Sequence, residues 1–129
     1  PLAKIAEVAA FESDREMLAA LDKGWRVATG LKKVTTATRD LFRNPMRPDE
    51  LNPFDAVVID PPRAGAKAQT EQLAASDVKT IAFVSCNPST FARDARVLVD
   101  GGYSLDWVQT VDQFLWSEHC ELVAQFTRK

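Results

Sequence analysis

The stretch Thr80-Ile81-Ala82-Phe83-Val84-Ser85-Cys86-Asn87-Pro88 says more about this chain than any other. Its apolar first half predicts a buried strand, and the proline after the polar turn suits the first position of a helix. A second run, Phe54-Asp55-Ala56-Val57-Val58-Ile59, ends in Asp60-Pro61-Pro62-Arg63. Two buried strands that each end in a proline-stiffened polar turn set their side chains along one edge of a parallel sheet. Open α/β sheets bind ligands at that edge. A thiol there, opening a helix, is positioned for chemistry rather than for packing.

Upstream, residues 4–12 predict a short strand ending in an acid, and Ser13 or Asp14 can cap the helix that follows. Met17, Leu18 and Leu21 give that helix its apolar spacing, and Gly30 lies beyond it or in its last turn. Val34–Thr38 is β-branched and strand-like, and Arg39-Asp40-Leu41-Phe42 leaves it. Residues 44–53 hold three prolines and are expected to form a loop, and residues 64–76 a loop feeding a helix. Pro88 opens a helix carried by residues 91–99 and stopped by Gly101-Gly102. Residues 103–111 and 121–127 alternate as a closing pair of strands. The order β-α-β-loop-β-α-β-α-β-β implies an α/β fold. Its sheet is mainly parallel, with crossover helices and a C-terminal antiparallel hairpin.

At 129 residues the chain is one domain or part of one, long enough to bury about two-thirds of its unfolded surface. With 46% apolar and 26% charged residues, no repeat and no low-complexity tract, it reads as ordinary and globular. No apolar run nears the roughly 20 residues of a membrane span, and no signal peptide opens the chain. Cys86 and Cys120 match neither a zinc spacing nor a disulfide scaffold, so a cytoplasmic protein without membrane or metal is expected. The net charge of −2 argues against a strong grip on nucleic acid by this chain alone. Lys32-Lys33, Arg39, Arg43 and Arg47 cluster, as a solvated surface also would. The start at Pro1, directly into regular structure, reads as a piece of something longer.

Several residues carry candidate chemistry. An acid such as Glu12, at a strand end of a dinucleotide-like sheet, bonds ribose hydroxyls, although most such acids are merely solvated. Asp40 has the same standing one strand later, facing an adenine amine. Asp60 is held by Pro61 and Pro62, against the plainer reading of a stiffened strand exit. A similar motif followed by an aromatic marks enzymes that methylate exocyclic amines, and Arg63 in that place speaks against that chemistry. Cys86 lies near helix N–H groups that favour a thiolate, where a buried structural cysteine is the competing reading. Asn87 adds a hydrogen-bonding side chain. His119 and Glu121, two residues apart at the start of the last strand, share a face and can supply a general base beside Cys86. Cys120 points the other way.

Together, Phe11-Glu12, Arg39-Asp40-Leu41-Phe42, Asp60-Pro61-Pro62-Arg63, Ser85-Cys86-Asn87-Pro88 and the Val111-Asp112…His119…Glu121 tail resemble the RNA 5-methyluridine methyltransferase family. These are S-adenosylmethionine enzymes acting on tRNA or large-subunit rRNA. The resemblance spans essentially the whole chain, and the third and fourth motifs, in this order and separation, are its most specific part. It implies a Rossmann-like methyltransferase sheet, with residues 1–129 a C-terminal part of the catalytic domain. It assigns the nucleophile to Cys86, whose thiolate adds to carbon 6 of uracil and makes carbon 5 able to attack a sulfonium methyl. Glu121 matches the base that removes the carbon-5 proton. Glu12, Asp40 and Asp60 match residues that hold S-adenosyl-L-methionine or line its pocket. Arg63, Asn87 and His119 are placed on the substrate side, with Ser117 in the same tail. Leu115 stands where that tail usually carries a proline.

The resemblance also implies parts that the sequence lacks. One is the first, central strand with its glycine-rich turn, of which Pro1-Leu2-Ala3 resembles only the tail. The other is an upstream RNA-binding region, often a β-barrel and sometimes with an iron–sulfur cluster. Without the central strand, the Glu12 and Asp60 strands pair directly, a partner chain fills the gap, or the halves pack loosely. An unpaired central edge invites self-association. RNA binding is therefore expected of the full-length protein, and poor cofactor binding without useful methylation of the isolated piece. Three other readings stand beside this one. They are methylation at cytosine carbon 5 or an exocyclic amine, a degenerate nucleotide-binding or RNA-interaction domain, and a hydrolase built on Cys86, His119 and Glu121. The last leaves Asp60-Pro61-Pro62-Arg63 without a purpose.

Overall fold

Strands and helices follow the apolar periodicity closely in a computed structural model that describes residues 1–112, 116 and 120–128. The chain divides into two compact units, Pro1–Asn44 and Pro45–Lys129. In the first, a 3-10 turn (Leu2–Lys4) leads into β1 (Val8–Glu12), α1 (Arg15–Val27) and β2 (Val34–Thr38). β1 begins later than the sequence predicts, because Ile5 and Ala6 donate to Leu2 O at 2.9 and 3.0 Å and close that turn. Asp14 caps α1, its Oδ1 accepting from Glu16 N at 2.8 Å and Met17 N at 3.1 Å. Such a cap contributes about 1 kcal/mol. β1 and β2 pair in parallel from Val8↔Val34 to Glu12↔Thr38.

The second unit contains α2 (Pro48–Leu51), β3 (Ala56–Ile59), α3 (Lys67–Ala74), β4 (Thr80–Ser85), α4 (Pro88–Asp100), β5 (Ser104–Val111) and β6 (Glu121–Thr127). Its four strands form one sheet in the order β3-β4-β6-β5. β3 and β4 run parallel, and β6 is antiparallel to both β4 and β5. The chain is therefore α/β, with parallel pairs up to β4 and an antiparallel hairpin at the C-terminal end. β1 takes β2 as its partner and β3 takes β4, so the Glu12 and Asp60 strands do not share a ladder.

Two expectations change. Residues 44–53 are not all loop: Pro48 fits the first helical position and Arg47 N–H donates to the Glu50 carboxylate at 3.0 Å, so one helical turn forms. β3 is not a buried strand. It is the sheet edge and Val58 is 54% exposed, whereas interior β4 hides Ile81, Phe83 and Ser85 on one face. That face meets α4. The rings of Phe83, Phe91 and Phe126 lie 5.5–6.4 Å apart by centroid, with Phe83 and Phe91 edge to face. Each such pair adds about 1 kcal/mol beyond burial. At the far end of the sheet, Tyr103 donates to Val78 O at 2.7 Å. The Arg128 guanidinium stacks 4.2 Å over that ring and donates to Ala74 O at 2.7 Å, tying the last strand to the end of α3. Among the described residues, no helix is long and apolar enough to cross a membrane.

Candidate active site

Cys86 sits at the tip of a turn that its neighbours close. Ser85 is buried, and its hydroxyl both accepts from Asn87 N and donates to Asn87 O, each at 3.2 Å. Asn87 then caps α4, its Oδ1 accepting from Ser89 N at 3.1 Å, and Pro88 takes the first helical position. Pro88 has no N–H and that of Ser89 is taken. The helix start thus offers the half-buried thiol fewer open N–H groups than the sequence suggests.

Sheet register brings the other candidates of this unit to the same edge. The β4–β6 ladder ends at Ser85↔Leu122, so Cys86 and Glu121 both adjoin its last rung, at one end of the sheet. The β3–β4 ladder ends at Ile59↔Phe83, and Asp60 follows directly at that same end of the sheet. Strand alternation puts Glu121 on the sheet face opposite the Leu122–Ala124 core, while Asp60 and Cys86 lie just past the ends of β3 and β4. Asp60 is exposed at the end of its strand. Arg63 is also exposed, and its carbonyl accepts from Asn87 Nδ2 at 3.0 Å and Thr90 Oγ1 at 3.1 Å.

In the first unit, Glu12 and Asp40 both follow from the parallel β1–β2 pair, one ending β1 and the other two residues beyond β2. Glu12 Oε1 accepts from Ser13 N, Ser13 Oγ and Asp14 N at 2.6, 3.0 and 3.1 Å. The Asp14 N–H is the strongest cause holding its carboxyl below the usual carboxylate range; partial burial opposes it and the Ser13 donors assist. Asp40 Oδ1 accepts from Phe42 N and Arg43 N at 3.0 and 3.2 Å, which fixes its carboxylate at the turn.

His119 and Ser117 lie outside the described residues. Among the described residues, no group of His, Cys, Asp and Glu could hold a metal ion. The sequence assigned no role to Arg93, Asp94 and Gly65 and named Ser85 and Thr90 without one, yet all five shape the turn or the loop beside it. One signal was available: Asp94 interrupts the apolar stripe of Phe91, Ala95 and Leu98.

The sequence pattern of the tRNA (uracil-5-)-methyltransferase family matches residues 27–129. A protein of Mesorhizobium japonicum, named an uncharacterized RNA methyltransferase, is 58% identical over 123 residues, which are 95% of this chain and 30% of that protein. The 23S rRNA (uracil(1939)-C(5))-methyltransferase of Alteromonas naphthalenivorans is 47% identical over 76 residues, 59% of this chain and 16% of that protein. Among solved structures, the Pyrococcus abyssi tRNA (uracil-54, C5)-methyltransferase in complex with S-adenosyl-L-homocysteine is similar at a TM-score of 0.82. It is 30% identical, over 98% of this chain and 30% of that one. The chain spans about 30% of the length of the curated relatives that match nearly all of it. From the end of α1 to the final strand the family pattern is matched, and the chain belongs to the tRNA (uracil-5-)-methyltransferase family.

Proposed function

We propose that this chain is part of the catalytic domain of a longer enzyme, which transfers a methyl group from S-adenosyl-L-methionine to carbon 5 of a uridine in tRNA or rRNA. The observation that supports the reading is that Cys86 and Glu121 both adjoin the last rung of the β4–β6 ladder, Ser85↔Leu122, at the sheet edge where open α/β sheets bind ligands. Bound S-adenosyl-L-methionine supplies an electrophilic methyl group. The residues of the chain fit that cofactor: Glu12, kept ionised by its neighbours, suits ribose hydroxyls, and Asp40 suits the adenine amine. Asp60 is the third acid assigned to the cofactor.

The Cys86 thiolate forms a bond to carbon 6 of the uracil, and the displaced electron pair moves into the ring as an enolate. The enolate electron pair then forms the bond from carbon 5 to the methyl group as the methyl–sulfur bond breaks, and that bond's electron pair leaves on the sulfur of S-adenosyl-L-homocysteine. Glu121 removes the proton left on carbon 5, the carbon 5–carbon 6 double bond reforms, and the carbon–sulfur bond breaks to release the thiolate. Asn87 holds the Cys86 turn, and Arg63 and His119 serve the RNA. At a net charge of −2, this chain leaves most of the RNA grip to the remaining length of the enzyme.

Cys86→Ala in the full-length enzyme is expected to abolish methylation of an RNA transcript while leaving RNA binding largely intact. A variant that retained methylation would move the reaction to another atom. The isolated 129 residues are expected to methylate nothing at a useful rate, and product from them alone would refute that part of the proposal.

A further inference from the structure

The loop after β3 is gripped through its backbone by side chains from the first two turns of α4. Arg63 O accepts from Asn87 Nδ2 and Thr90 Oγ1, and Ala64 O accepts from Arg93 Nη2 at 3.0 Å. Ala66 N donates to Asp94 Oδ2 at 2.7 Å. Arg93 Nε and Nη2 both reach Asp94 Oδ1 at 2.8 Å. Between these contacts Gly65 lies at φ +78°, where an added Cβ would stand 2.5 Å from Arg93 Nη2 and 2.6 Å from Asp94 Oδ2. Asp94 itself is 0% exposed.

Arg93 is 42% exposed and only Asp94 is buried, and a half-exposed ion pair of this kind is a poor device for stability. Its use here lies in what it holds. All the loop groups engaged are main-chain atoms, so the contacts set the path of the loop rather than the identity of its exposed side chains. Asn87 joins this clamp to the turn that carries Cys86, because the same side chain caps α4 and bonds Arg63 O. We propose that Asp94 is a positioning residue for uracil methylation, setting the 63–66 loop, and with it Arg63, against the Cys86 turn. The inference rests on the function proposed above.

The test is a double-mutant cycle in the full-length enzyme, read as the rate of covalent adduct formation with RNA carrying 5-fluorouridine in the presence of S-adenosyl-L-methionine. Asp94→Asn keeps the volume and one acceptor but loses the ion pair. It is expected to slow adduct formation roughly ten- to hundred-fold, the range that small misplacements cost, with RNA affinity little changed. In an Arg63→Ala background the same substitution is expected to have little further effect, because both act through one group. Equal slowing in both backgrounds, or no slowing in either, would overturn the positioning role. Thr90→Val, isosteric and acting on the Arg63 carbonyl, is measured and read in the same way should Asp94→Asn fail to fold. A wild-type enzyme that forms no adduct would overturn the uracil reading, and this inference with it.

Discussion

Three hydrogen bonds to one oxygen of Glu12 decide both its charge and its service to the turn before α1. They favour the ionised carboxylate and hold its pKa below the usual 4.5. A lowered native-state pKa gives stability that is present above 4.5 and lost as the pH falls through the native value. Glu12→Gln is therefore expected to speed hydrogen exchange of the α1 amides at neutral pH, and the difference from wild type to shrink well below pH 4.5. A difference of equal size at both pH values would contradict a role for the charge. The Asp14 cap was legible in the sequence because it acts on donors within a few residues, whereas Glu12 was read as a cofactor acid and not as the acceptor that closes this turn. Asp94 was not legible, since its partner Ala66 N lies 28 residues away and only the folded chain brings them together.

Among the secondary elements, α4 organises the site. Its Pro88 start and its end before Gly101 follow from local sequence and were expected from it, whereas Asn87 was read only as a hydrogen-bonding side chain and not as the cap. What lies across from an element was harder to read. The apolar run of β3 fits a central strand or an edge equally well, because sheet order depends on contacts that periodicity does not encode. The clamp on the loop after β3 makes a sharp demand at Gly65. Gly65→Ala is expected to destabilise the protein by about 2 kcal/mol or more, since a left-handed backbone costs roughly 1–2 kcal/mol and the Cβ contacts add to it. Urea unfolding of the full-length protein measures this. A loss below about 0.5 kcal/mol, the size of an ordinary surface change, would show that the loop does not need the close approach.

For the molecule as a whole, the sequence motifs anticipated the α/β order, the closing hairpin and the family, and Asp60, Cys86 and Glu121 all fall at one edge of the second unit's sheet. That Glu121 can serve beside Cys86 was expected from the sequence, but the β4–β6 ladder that ends at Ser85↔Leu122 was not, because it joins strands far apart in the chain and follows from no local spacing. The proposed chemistry stands or falls on the addition of Cys86 to the uracil ring. Mass spectrometry of the full-length protein with S-adenosyl-L-methionine and RNA containing 5-fluorouridine tests that step, because fluorine at carbon 5 cannot leave as a proton and the adduct persists. A covalent RNA adduct is expected on the peptide carrying Cys86, and its loss in Cys86→Ala. Methyl transfer to uridine with no adduct, or an adduct on Cys120 instead, would contradict the mechanism.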